Sequence, residues 1–131
     1  MHLYTLEEAR ALLPRLIPIL AELRNLAAVL RAHGESVTEG RRVVPGNGHL
    51  ASDPFGEGDE GTQQRAIHDR WRALTRQLEE LGVELKDTDT GLIDFYHERD
   101  GEVVYLCFRL GEANIAHWHT LDGGFGGRQP L

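Results

Sequence analysis

The sequence predicts an α+β fold: an antiparallel helical hairpin packed on a small antiparallel sheet of about three strands, ending in a Gly-rich tail. Three observations carry this expectation. Apolar residues recur at helical spacing up to Gly82, and the rhythm then changes to period two. Between the two helical stretches, residues 34–61 hold seven glycines along with Pro45 and Pro54. One domain is expected over 1–131, with 34–61 a long, mobile loop.

Thr5-Leu6-Glu7-Glu8 reads as a capping box that opens the first helix, with its acids at the positive end of the helix dipole. Leu6, Ala9, Leu13, Leu16, Leu20, Leu23, Ala27 and Leu30 then mark one helix face. Leu12, Ile17, Ile19, Leu26 and Val29 widen that stripe beyond what one partner helix covers, which implies a second contact, a sheet or another subunit. Pro14 and Pro18 leave two forms open. One is a single kinked helix. The other is a short helix to about Leu12 and a longer one starting near Pro14. Both stop near His33-Gly34. A second helix, capped by Asp59 or Thr62, runs to Leu81 with Ile67, Trp71, Leu74, Leu78 and Leu81 as its seam.

Beyond Gly82, Leu92 to Glu98 and Glu102 to Leu110 read as strands joined by a tight Asp100-Gly101 turn. Pairing across that turn puts Ile93, Phe95, Val104, Leu106 and Phe108 on one face, toward the helices. Asp94, Tyr96, Val103, Tyr105, Cys107 and Arg109 fall on the other. A second turn at Gly111-Glu112 leads to Asn114 through Trp118. The tail from Gly123 to Leu131 does not read as a strand.

Composition excludes several function classes. The chain has 131 residues and a formal net charge of −7, and eight of its acids lie in residues 87–131. This argues against nucleic acid and anionic membranes as partners. Cys107 is the one cysteine, so no internal disulfide forms and no C-x-x-C zinc motif exists. The N-terminus lacks the basic and apolar blocks of a signal peptide, and no apolar run is long enough to span a membrane. A cytoplasmic location is expected.

Several blocks carry a family resemblance. Tyr4 to Ala9 with Leu12-Leu13-Pro14 forms the opening, and Leu81 to Asp87 with Gly91 to Phe95 forms the middle. Val104 to Glu112 follows. Trp118-His119, Leu121-Asp122, Gly124-Phe125 and Gly127 to Leu131 form the ending. Together they resemble DUF2203, a family of small bacterial proteins of unknown function, over nearly the whole chain except 34–61. Phe108 stands where Trp is common in that family, and His117 where Tyr is usual. The resemblance implies no activity, cofactor or catalytic residue.

The strongest candidate site is His117, His119 and Asp122, joined by Asp94 or His97. Two histidines two residues apart on a strand face the same way, and an Asp beyond a turn can bring a carboxylate back to them. Imidazole and carboxylate together suit one divalent transition metal. Beside Trp118, the commoner use of such histidines is packing and hydrogen bonding at a subunit seam. Asp94 interrupts an apolar strand, which calls for a cationic partner, Arg109 or Arg128. Arg128 could also form an anion clamp with the tail amides, although tethering of the tail by Phe125 and Arg128 is the simpler use. Asp87, Asp89 and Asp94 with Glu84 form an acidic cluster around a turn that could share a proton or hold a divalent cation, although the Asp87 to Gly91 turn needs a polar sequence in any case. Cys107, in mid-strand, reads as inert packing.

The function expected from sequence is a small accessory or protein-interaction protein, homodimeric because of the excess apolar surface on the first helix. The alternative is a metal-binding protein or metal-dependent hydrolase using His117, His119 and Asp122. The residues themselves do not decide whether the chain is an enzyme.

Overall fold

The computed structural model describes residues 1–32 and 58–131. Thr5 and Glu8 make both bonds of the capping box: the Thr5 amide donates to Glu8 Oε1 at 2.9 Å and the Glu8 amide to Thr5 Oγ1 at 3.1 Å. They open α1, Leu6–Ala32, which runs unbroken through both prolines. Of the two forms open from sequence, the single helix is the one found. Pro14 and Pro18 both lie on the exposed face, where water can satisfy the carbonyls they leave unpaired. Ala9, Leu13, Leu16, Ile19, Leu20, Leu23, Ala27 and Leu30 are buried. Ile17 and Val29 remain exposed.

The second helix, α2, spans Gly58–Leu81, so the expected 34–61 loop lies outside the described residues up to 57 and gives way to helix at its end. Trp71, Leu74 and Leu78 are its buried seam. Arg70 spans the hairpin on the solvent side, bonding Glu22 through two nitrogens at 2.7 and 2.9 Å. Gly82 ends α2 with φ +74°, and a Cβ there would sit 3.1 Å from the His2 Cβ. The left-handed backbone and the close approach both select glycine.

Among the described residues the sheet is antiparallel throughout and has five strands, not about three: β1 Val83–Asp87, β2 Leu92–Arg99, β3 Glu102–Arg109, β4 His117–His119 and β5 Gln129–Pro130, in that spatial order. The two strands that sequence reading passed over are the edges. In β1 only a few alternating residues separate Gly82 from the Asp87–Thr90 turn. There Asp87 Oδ2 accepts from the Thr90 amide and hydroxyl, a structural use for that carboxylate. β5 has two residues, one of them proline, which an outermost strand tolerates. Asp100 and Gly101 both have positive φ, as a two-residue hairpin turn demands.

This hairpin fixes the register that matters. Ile93 faces Phe108, Asp94 faces Cys107 and Phe95 faces Leu106. Side chains alternate, so Ile93, Phe95, Leu106 and Phe108 join α1 and α2 in one core, with Val83 and Ile115. Asp94, Tyr96, Tyr105 and Cys107 occupy the opposite face, as expected. No helix among the described residues is long and apolar enough to cross a membrane.

Candidate metal centre

The outer face of the sheet is buried where polar groups meet. Asp94 on β2 and His119 on β4 are each 2% exposed, and Cys107 between them on β3 is fully buried. Their ligand atoms all lie within 4.8 Å of one another. Carboxylate, thiol and imidazole in one enclosed group can coordinate a divalent metal ion.

The orientation of His119 is the sharpest feature. Its Nδ1 lies 2.7 Å from the carbonyl of Thr120. A carbonyl only accepts, so Nδ1 carries the hydrogen. Its Nε2 lies 3.1 and 3.2 Å from the two oxygens of Asp94. A neutral ring of this tautomer presents a lone pair to a carboxylate. Either a second proton or a cation must therefore lie between them. Burial pushes the Asp94 carboxyl above its usual range, against the pull of His119 and the Cys107 thiol. Burial, reinforced by Asp94, pushes the Cys107 thiol up to about 12.

Two polar clusters flank this centre. Glu84 accepts from Tyr96 Oη at 2.6 Å, Tyr105 Oη at 3.0 Å and Lys86 Nζ at 2.8 Å. Lys86 and Tyr96 hold its carboxyl below the usual range, and Glu84 in turn holds the Tyr96 hydroxyl well above its own. Lys86 lies 4.7 Å over the Tyr105 ring, and that ring lies 5.3 Å from His119. On the other side Arg128 grips Glu112 through two nitrogens at 2.8 and 2.9 Å. The Arg109 amide donates to Glu112 at 2.8 Å. Burial raises the Glu112 carboxyl, but these bonds outweigh it and leave it low.

Of the residues expected from sequence, Asp94 and His119 come together. His117 lies on the same face, directly opposite Cys107, outside the close group. Asp122 is exposed and accepts from the Thr120 hydroxyl at 3.0 Å, within the turn after β4. His97 turns to the other side of the sheet, its Nδ1 2.7 Å from the Tyr4 carbonyl. Trp118 packs against the core with Arg99 over its ring. The partner of Asp94 is His119 rather than Arg109 or Arg128. Those two arginines flank Phe125 at 5.1 and 4.6 Å, and Arg128 also reaches the Cys107 carbonyl. Cys107 is the member that sequence reading set aside. The signal lay in the hairpin register, which already put it opposite Asp94.

The fold and this centre define a class: a small α+β protein, a helical hairpin on a five-stranded sheet, with an Asp-Cys-His group able to hold a metal buried on the far side. Residues 2–131 match the model of the uncharacterized conserved protein family DUF2203, and the chain belongs to that family. No curated protein and no solved structure matches it.

Proposed function

We propose that this is a metal-binding protein whose Asp94, Cys107 and His119 hold one divalent transition-metal ion, zinc fitting the mixed oxygen, sulfur and nitrogen set best. The observation that carries the reading is the aim of His119 Nε2 at the Asp94 carboxylate while Nδ1 is tied to the Thr120 carbonyl. Metal-bound histidines are commonly oriented in this way by a carbonyl on the other nitrogen. Charge supports it too. A carboxylate and a thiolate balance a divalent cation, so the filled centre is neutral and tolerates burial. The cation supplies the field that burial alone withholds from the thiol, and loading releases protons. Asp94, Cys107 and His119 are almost wholly buried among the described residues, which favours a structural ion over metal-dependent hydrolysis.

The test is metal content and reconstitution. Full-length protein stripped with chelator and dialysed against zinc is expected to retain one ion per chain. The cobalt form is expected to show a thiolate-to-cobalt absorption that Cys107→Ser removes. Wild-type protein that takes up neither metal overturns the reading. A second reading, the homodimeric interaction protein, is supported by the exposure of Ile17 and Val29 on α1. Solution mass tests it, and a strictly monomeric chain removes it.

A further inference from the structure

Among the described residues, His117 is an outer-face residue whose contacts do not account for its position. Its Nδ1 is buried and has no hydrogen-bond partner. The nearest carboxylate oxygen, Glu112 Oε2, is 3.9 Å away, too far for a hydrogen bond. Glu112 does not need it, because Arg128 and the Arg109 amide already engage both of its oxygens. A buried polar atom left without a partner is costly, and in native proteins it commonly marks an unfilled role.

The strand geometry supplies that role. Side chains two apart on β4 face the same way, so His117 and His119 share the face that carries Asp94 and Cys107. The register sets His117 opposite Cys107, which is itself opposite Asp94. Directly opposed residues have Cβ atoms about 5 Å apart, so a turn about χ1 suffices to swing the imidazole toward the Cys107 sulfur. The group of three leaves a tetrahedral ion one ligand short. We infer that His117 is the fourth ligand, closing an Asp94-Cys107-His117-His119 set; this rests on the metal reading above. Such an ion ties the three-residue β4 to β2 and β3 and keeps no position open for water.

The experiment is zinc X-ray absorption and competitive zinc titration on the full chain, comparing wild type with His117→Gln, His117→Ala and His119→Ala. Wild type is expected to show one sulfur and two imidazoles around zinc. The two His117 variants, with unchanged far-UV circular dichroism, are expected to show one imidazole and to bind about 100-fold more weakly, the upper end of what even an outer-sphere change costs. A wild-type spectrum with one imidazole, together with His117→Gln binding at wild-type affinity, overturns the inference while leaving the three-ligand reading standing. Wild type that binds no zinc overturns the metal reading and this inference with it.

Discussion

The two faces of the sheet are buried by opposite means. The inner face places Val83, Ile93, Phe95, Leu106 and Phe108 against α1 and α2, and its burial is apolar and non-directional. The outer face buries Asp94, Cys107 and His119 almost as completely, yet each of these groups must meet a partner of set geometry. The inner face therefore stabilises the fold through area. The outer face selects one arrangement and stabilises only if every member is satisfied.

Phe95→Ala is expected to have the largest effect in this contrast, a loss of about 3–5 kcal/mol read from urea unfolding, because it empties the centre of the inner core. A loss under about 1 kcal/mol would mean the core closes over the gap and area is not what holds this face. Next, Asp94→Ala in chelator-treated protein is expected to cost about 3 kcal/mol by stranding His119 and Cys107, with Asp94→Asn costing less. Equal costs for the two variants would show that geometry plays no part. Arg128→Ala is smaller, about 2 kcal/mol, since it removes a largely buried, charge-assisted bidentate pair. Hydrogen exchange should localise its effect to the Leu131 amide, which bonds the Ala116 carbonyl at 3.0 Å, and to β4.

The smallest and most diagnostic effect is on pH dependence. Asp94 has a raised carboxyl pKa, so its contribution is fully present below the unfolded value and declines as pH rises through the folded one. The Glu84 carboxyl is lowered, so its contribution holds above the unfolded value and is lost as pH falls through the folded one. In metal-free protein, Glu84→Gln should flatten the acid limb of stability and Asp94→Asn should remove the decline on the neutral side. Identical profiles for the two variants would erase the distinction between these carboxylates.

Alternation made the inner face legible from sequence, because Ile93, Phe95, Leu106 and Phe108 repeat every second residue around one unmistakable turn. The same turn already set Asp94 opposite Cys107. The reach of His119 to Asp94 depends on where β4 lies beside β3, and residues 110–116 set that without any repeating pattern. Asp122 shows the same limit: a carboxylate three residues past a histidine is free to turn into the loop, and here it bonds Thr120. The edge strands are too short for period two to mark them, five residues in β1 and two in β5, so alternation alone predicts about three strands where the described residues form five.

Lys86 is the only lysine in the chain, and it lies beside Glu84 and above Tyr105. On protein whose α-amino group has first been blocked near neutral pH, an amine-reactive dye used at alkaline pH thus has one side-chain target, on the flank of the His119 ring. Its emission offers an optical reporter of events on that face, with no engineered cysteine to compete with Cys107.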